Sequence, residues 1–218
     1  MTLSIYRGAM MLAARNTQHG SAASSRGFTM IEVLVTFVIL AVGVLGVVSL
    51  LTSSKTSEYE SVQRARAITM ADSMLEKIRG NPQAISTTPG YAIGTTNPLD
   101  GTVYASEPAP NCVTASCTPV ELANHDLWAF EQALIGSSVS VDGADTAGLI
   151  NPRACIQFAP WGPHTNSGQI SILIQWDGLQ ETGDGVPAGV VCGGGAAGTD
   201  PNRRSIVVTS FVVDQAEL

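Results

Sequence analysis

Proline is missing from the first 81 residues of this chain, and all eleven prolines lie at Pro82 or later. Because proline is the residue that most disrupts a helix, a single helix can extend from about Phe28 to Arg79. At about 1.5 Å per residue this helix is roughly 78 Å long, more than twice the hydrocarbon thickness of a bilayer. The sequence Gly80-Asn81-Pro82 is expected to end it, with Gly80 as the C-cap residue.

Charged residues are scarce, at 13% of the chain, and none occurs from Val33 to Ser54. The run Phe28–Leu51 contains one charge, Glu32, and exceeds the roughly 20 residues that span a membrane. Residues 1–27 contain three arginines and no acidic residue, so the positive-inside bias keeps this leader in the cytoplasm and the chain after Leu51 in the periplasm. The segment lacks the small-x-small cleavage site of an ordinary secretory signal.

Basic residues are also few: after residue 27 the chain has 8 basic and 18 acidic residues, a net charge of −10. This balance disfavours nucleic acid as a partner. The three histidines offer no catalytic group. His19 lies in the leader, and His164 looks like a turn residue. His125 and Asp126 are adjacent on a predicted helix, so their side chains do not face one another. We therefore expect a protein that is not an enzyme and binds no cofactor. The rival from another class is a membrane-anchored periplasmic enzyme or ligand-binding module.

The four cysteines, Cys112, Cys117, Cys155 and Cys192, all lie in the exported part of the chain. An even count in an exported domain favours two disulfides, and the spacings contain no C-x2-C pair of a zinc site. Three pairings are possible. We favour Cys112–Cys117, which closes a short loop, and Cys155–Cys192, which fastens the long loop before the last strand.

A calcium or phosphate site is not indicated by the loops. The acidic residues of the later loops do not follow EF-hand spacing and are interpreted as solvated side chains: Asp142, Asp145, Asp177, Glu181 and Asp184. The sequence Gly193-Gly194-Gly195 lacks the Lys-Ser/Thr of a phosphate loop and is interpreted as a flexible loop. We expect no metal.

The second half of the long helix is predicted to pack against a globular head. Its apolar residues recur at spacings of three or four: Val62, Ala65, Ile68, Ala71, Leu75 and Ile78. A coiled-coil stalk is the alternative. In the head, Thr118-Pro119-Val120-Glu121 is a capping box with proline at the first helical position, and it opens a helix that Gly136 closes.

The rest of the head is predicted to be loops and strands. Residues 82–111 are rich in Pro, Thr and Gly and are expected to form a loop. Four alternating or β-branched runs are predicted as strands: Ser138–Asp142, Arg153–Ala159, Gln169–Asp177 and Ser205–Val213. In the third run Ile170, Ile172, Ile174 and Trp176 share one face. Strands joined by loops imply an antiparallel sheet, which gives an α+β fold with the long helix laid across the sheet.

The segment Arg26-Gly27-Phe28-Thr29-Met30-Ile31-Glu32-Val33-Leu34 resembles the class III signal of type IV pilins and pseudopilins. The resemblance implies that a prepilin peptidase cuts after Gly27 and that the new terminal residue, Phe28, becomes N-methylphenylalanine. It also implies a partner for Glu32, the amino terminus of a neighbouring subunit in the filament. A carboxylate at the start of a membrane span is costly unless it is paired.

Two features depart from the family's pattern. The 27-residue leader is longer than is typical, so translation from Met10 or Met11 is an alternative start. Major pilins often carry a proline in the apolar half of the helix, where this chain has Gly43 and Gly46.

Within the family, the chain resembles the minor pilins of the PilV subclass in the helix through Pro82, in Cys117–Trp128 and in Ile174–Asp177. The resemblance implies a leader at 1–27, a helix at 28–80 with residues 28–51 in the membrane or filament core, and a periplasmic pilin head at 81–218. It implies a minor pilin that acts in pilus assembly, adhesion or twitching.

The partners expected from the resemblance are the prepilin peptidase, other minor pilins, the major pilin and a tip adhesin. The subunit would sit in the inner membrane and then move to the filament or its tip at the cell surface. A minor pseudopilin of a type II secretion system is the alternative.

Overall fold

A computed structural model of the chain describes residues 27–181, 192–193 and 200–218. The elements within these ranges are two helices, α1 (Met30–Gly80) and α2 (Pro119–Ile135), and six strands. The strands are β1 (Gly94–Leu99), β2 (Ser140–Val141), β3 (Ala144–Asp145), β4 (Arg153–Pro160), β5 (Gly168–Asp177) and β6 (Arg203–Val212). Single 3-10 turns occupy Pro82–Ala84 and Gln215–Glu217. Residues 1–26, which make up most of the predicted leader, and Asp184, Gly194 and Gly195 lie outside the described residues.

Helix α1 is continuous for 51 residues, as its lack of proline predicts. Gly80 is its last residue but is not in the left-handed conformation of a glycine cap. The prediction of a Gly80 cap is therefore wrong. The chain instead turns at Asn81 into a 3-10 turn that has Pro82 in its first turn, and the Asn81 amide donates to the Ile78 carbonyl at 3.1 Å.

The chain consists of two compact units that meet between Ser49 and Leu50. In the second unit, α1 contributes the buried residues Gln63, Ala67, Ala71, Met74, Leu75 and Ile78. The predicted apolar row is thus right from Ala71 onward and wrong before it, since Val62 and Ile68 are 43% and 40% exposed. The helix instead buries Gln63, whose amide donates to the Tyr59 hydroxyl at 2.8 Å, and the small Ala67.

The main sheet has four antiparallel strands in the order β1-β4-β5-β6. One face forms the core with α1, because Ile170, Ile172, Ile174 and Trp176 on β5 are all at most 3% exposed. This confirms both the predicted face of that strand and the α+β fold, a long N-terminal helix packed on an antiparallel sheet. The predicted loop at 82–111 is wrong at 94–99, where β1 pairs with β4.

Helix α2 begins and ends as predicted. The Thr118 hydroxyl accepts a hydrogen bond from the Glu121 amide, the Glu121 carboxylate accepts one from the Thr118 amide at 2.8 Å, and Gly136 ends the helix with a φ of 74°. The hydrogen bonds that the Glu121 carboxylate accepts from the Thr118 amide and the Thr118 hydroxyl lower the pKa of Glu121. Beyond α2, the predicted strand Ser138–Asp142 is a small hairpin instead, in which β2 pairs with β3 across Asp142 and Gly143. Both turn residues have positive φ, 53° and 81°, as a tight two-residue turn requires.

Candidate functional site

The junction between the leader and α1 is the first candidate site. Gly27, Phe28 and Thr29 are not helical, and the helix begins at Met30. Thr29 caps it, since the Glu32 amide lies 3.3 Å from the Thr29 hydroxyl and 3.0 Å from the Thr29 carbonyl. This cap was not predicted, although the Thr-x-x-Glu spacing signals it. The Gly27–Phe28 peptide bond therefore lies outside the helix, beside a Phe28 side chain that is 82% exposed.

Glu32 lies in the first turn of α1, where the helix dipole favours a negative charge. Within the described part of the chain, no hydrogen bond or ion pair engages its side-chain carboxylate. Four residues, about one helical turn, separate it from Phe28. The carboxylate is therefore exposed and lies one turn from the Gly27–Phe28 peptide bond.

The large apolar side chains of the stretch that follows are exposed, and none is buried against other described residues. Its most apolar 18-residue window has a mean hydropathy of 2.9 and no buried residue. The large apolar side chains from Met30 to Leu51 are 48–93% exposed. The hydroxyl of Thr36 donates to the Val33 carbonyl at 2.9 Å and so needs no water. Among the described residues, α1 is the one helix long and apolar enough to cross a membrane.

The head carries both predicted disulfides, Cys112–Cys117 and Cys155–Cys192. The first closes a five-residue separation immediately before the Thr118 cap of α2. The second joins β4 to residue 192 across a separation of 37 residues, and both of its sulfurs lie with Leu173 in a small buried cluster. The favoured pairing is confirmed.

A buried polar network fixes the end of α1 to α2. Asp126 accepts a hydrogen bond from the Tyr91 hydroxyl at 2.6 Å and pairs with Lys77 at 3.1 Å. The side-chain amide of Asn81 donates to the Pro119 carbonyl at 2.7 Å. Burial and the Asp126 carboxylate raise the pKa of Tyr91, so its hydroxyl stays a hydrogen-bond donor. The network is structural, and sequence reasoning missed it because its members come from three separate segments.

Of the histidines, His125 and His164 lie within the described residues, and neither side chain pairs with Asp126. His125 lies 3.2 Å from Glu107 and packs its ring 5.4 Å from the Trp128 ring, while Asp126 faces Lys77 and Tyr91. The amide of His164 donates to the Trp161 carbonyl at 3.2 Å, which confirms its place in a turn.

The described members of the predicted acidic set lie in separate places. Asp177 pairs with Arg203 at 3.1 Å and accepts from Asn151 at 2.9 Å, and Asp142 and Asp145 lie in the β2–β3 hairpin. Within the described ranges, no group of three His, Cys, Asp or Glu residues could hold a metal ion.

Two family models match the chain in adjacent segments. Residues 23–48 match the prokaryotic N-terminal methylation motif, a range that includes Gly27, Phe28 and Glu32. Residues 50–128 match the family described as type IV pilin Tt1218, a range that includes the second half of α1 and the first half of α2. Residues 50–128 are therefore similar to a type IV pilin family, and they follow directly on a segment that is similar to the methylation motif. No match was found among curated proteins or among solved structures.

Proposed function

We propose that this chain is a minor pilin of a type IV pilus, of the PilV subclass, and that it works as a structural subunit and not as an enzyme. The observation that carries the proposal is the succession of a match to the methylation motif at 23–48 and a match to a type IV pilin family at 50–128, with the continuous helix α1 (Met30–Gly80) running from the first range into the second. The PilV assignment rests on the resemblance in Cys117–Trp128 and in the strand that ends at Asp177.

Processing would take place at Gly27–Phe28. Prepilin peptidase cuts after Gly27 and leaves α1 attached to the product, and Phe28 becomes N-methylphenylalanine. The absence of helix at Gly27, Phe28 and Thr29 supports this site, because a peptide bond outside a helix can enter a peptidase cleft without unfolding α1. The residues of domain 1–27 are then removed, and the product consists of helix 28–80 and head 81–218.

Assembly would use two exposed features of the N-terminal segment: the apolar surface of residues 28–51 and the Glu32 carboxylate. The apolar surface of residues 28–51 holds the subunit in the inner membrane with the head in the periplasm, where the two disulfides are stable. In the filament the same surface packs against other helices, and the Glu32 carboxylate pairs with the amino terminus of a neighbouring subunit. The partners are other minor pilins, the major pilin and a tip adhesin.

The experiment compares Gly27→Ala and Glu32→Ala in cells that make pili. Gly27→Ala should leave the leader on the chain, whereas Glu32→Ala should be cut normally but be lost from the sheared pilus fraction, because its pairing group is gone. Mass spectrometry of that fraction should detect N-methyl-Phe28 in the unmodified chain. The control is Glu58→Ala, which removes an exposed carboxylate of the same helix that pairs with Lys55.

Three results would count against the proposal. Normal cleavage of the Gly27→Ala chain would remove the leader assignment, and equal assembly of Glu32→Ala and Glu58→Ala would remove the role of Glu32. A processed subunit that is absent from sheared pili but required for protein secretion would identify a type II secretion pseudopilin instead.

A further inference from the structure

The face of the main sheet opposite α1 has a closed half and an open half. On the closed half, Leu173 is 3% exposed because the Cys155–Cys192 disulfide lies over it. On the open half, the register aligns Ala159, Gln169 and Phe211 in one row and Gln157, Ser171 and Thr209 in the next. The side chains of Gln157, Gln169, Thr209 and Phe211 are exposed there.

An exposed aromatic group borders the open half. Trp161, in the turn after β4, is 59% exposed, while Trp176 in the core is 3% exposed. The Trp161 ring stacks on the His164 ring, with centroids 5.2 Å apart and planes within 8°, and meets Phe211 edge-on at 6.1 Å. Because more than half of the indole is exposed, it presents an aromatic surface against which a ligand can pack.

The turn that carries Trp161 is fixed by the last 3-10 turn of the chain. The Glu217 carboxylate accepts hydrogen bonds from the Thr165 amide and hydroxyl, both at 2.7 Å, and from the Asn166 amide at 2.8 Å. The nearby Ser167 hydroxyl and these bonds lower the pKa of Glu217 to about 2. The Trp161 amide in turn donates to the Ser167 carbonyl at 2.9 Å. The indole is therefore presented on a preorganised support.

Two adjoining cavities extend from Trp161 across the open half. The first, about 460 Å³, lies between Trp161, Gln169 and Phe211. The second, about 390 Å³, shares Ala159 and Gln169 with it and adds Gln157 and Ser171. Both volumes fall in the range of small-molecule sites, roughly 300–1,000 Å³. The residues that line them carry no charge, although the chain after residue 27 has a net charge of −10.

The open half lies at one end of the head. The start of β6 is beside Glu60 of α1, through the ion pair with Arg204 at 3.3 Å, and its end is beside Arg79, which donates to Ser210 at 2.6 Å. These two helix positions are roughly 28 Å apart along the axis. Phe211 therefore lies near the C-terminal end of α1, beside Arg79 and away from Glu60.

We propose that this groove binds a neutral oligosaccharide. A pyranose ring has an apolar C–H face that packs on an aromatic ring and a rim of hydroxyls that both donate and accept hydrogen bonds. Trp161 supplies the aromatic ring, and the side-chain amides of Gln169 and Gln157 and the hydroxyls of Ser171 and Thr209 supply both donors and acceptors. The uncharged lining offers no cation to pair with an acidic sugar, and the two adjoining cavities, about 460 and 390 Å³, have room for more than one ring. The proposal does not depend on the pilin assignment.

The test uses the full chain in lipid nanodiscs, since a glycoside detergent such as dodecyl maltoside would compete for the site. Cellotriose, maltotriose and tri-N-acetylchitotriose are titrated and followed by tryptophan fluorescence and saturation-transfer NMR, with empty nanodiscs as a blank. At least one should bind, with the strongest saturation transfer to the C–H protons of one ring face. Trp161→Ala should weaken binding roughly tenfold and Trp161→Phe roughly threefold, because a phenyl ring keeps part of the stacking surface.

Matched variants separate the groove from general surface effects. Gln169→Ala should weaken binding, and Val113→Ala, which shortens another exposed apolar side chain, should leave it unchanged. Four results would each overturn the proposal: no binding of any of the three sugars, equal binding by Trp161→Ala, equal or tighter binding of trigalacturonic acid, or a Trp161 signal that responds only to lipid or to another pilus protein.

Discussion

The two halves of α1 are one continuous helix with opposite surroundings. From Met30 to Leu51 its large side chains are 48–93% exposed, whereas from Gln63 to Ile78 the helix buries six residues in the head. Among the described residues, the first half therefore buries no large apolar side chain, and its apolar surface is available to lipid or to other helices. The second half is held by the sheet, by α2 and by the Lys77–Asp126 pair. A helix with a continuous backbone can therefore have two halves that are stabilised by different contacts.

The largest expected effect is a loss of stability of the head when a disulfide is removed. Replacing Cys155 and Cys192 by serine should lower the free energy of unfolding by about 4 kcal/mol, because the disulfide restricts a long loop in the unfolded chain. The same change at Cys112 and Cys117, with a separation of 5 residues instead of 37, should cost about 2 kcal/mol. Urea unfolding followed by the fluorescence of buried Trp176 measures both. Equal losses would show that loop length does not set the stabilisation.

The next largest effect is on membrane insertion of the exposed half of α1. Leu40→Lys removes no internal packing, since Leu40 is 63% exposed, yet it should disfavour membrane insertion by about 3 kcal/mol. Val113→Lys introduces the same charge on a side chain that is 79% exposed in the head and should change nothing. Carbonate extraction of membranes distinguishes the two variants. Full membrane retention of Leu40→Lys would mean that this surface is not in contact with hydrocarbon.

A smaller loss is expected at Glu131, which is fully buried in α2. Its carboxylate accepts hydrogen bonds from four backbone amides of the preceding loop: those of Asp100, Gly101, Val103 and Tyr104. Glu131→Gln turns an NH2 group toward some of these donors and should cost about 2 kcal/mol. Glu76→Gln, at a side chain that is 67% exposed, is the control and should be neutral. Urea unfolding that ranks the two variants equally would contradict the role of Glu131.

The smallest effect is a pH dependence at Glu217. Its pKa falls from 4.5 to about 2 on folding, so its stabilisation is complete above about pH 4.5 and is lost as the pH falls through 2. The melting temperature of Glu217→Gln should therefore lie below that of the unmodified chain at pH 6, and the difference should shrink toward pH 2. A difference that is constant with pH would show that ionisation of Glu217 does not matter.

Local signals in the sequence were enough for much of the fold. The capping box at Thr118, the left-handed Gly136, the alternation of Ile170, Ile172 and Ile174, and the absence of proline from α1 each act within a few residues, and the structure has each of them. At the candidate site, the junction motif around Gly27 is equally local. The Thr29 cap and the Asp142-Gly143 turn also have local signals in their spacing, although neither was predicted.

The remainder depends on contacts between distant segments. Strand β1 contains Pro98 and does not alternate, and it is a strand only because β4 pairs with it. Glu131 is buried only because a loop some 30 residues away in sequence directs its amides toward it. Gln63 replaces the apolar residue that periodicity places in the core. A single sequence has no signal for any of these, since each residue type would be expected on the surface.

Strand β5 has a further consequence for how this protein can change over evolutionary time. Along it, buried Ile170 and Ile172 alternate with Gln169 and Ser171 on the open half of the sheet. A substitution at an outward position alters what the head can recognise and leaves the core intact. Positions free to vary therefore alternate with positions that must stay apolar along one strand. We expect related chains to differ at 169 and 171 while 170 and 172 stay apolar.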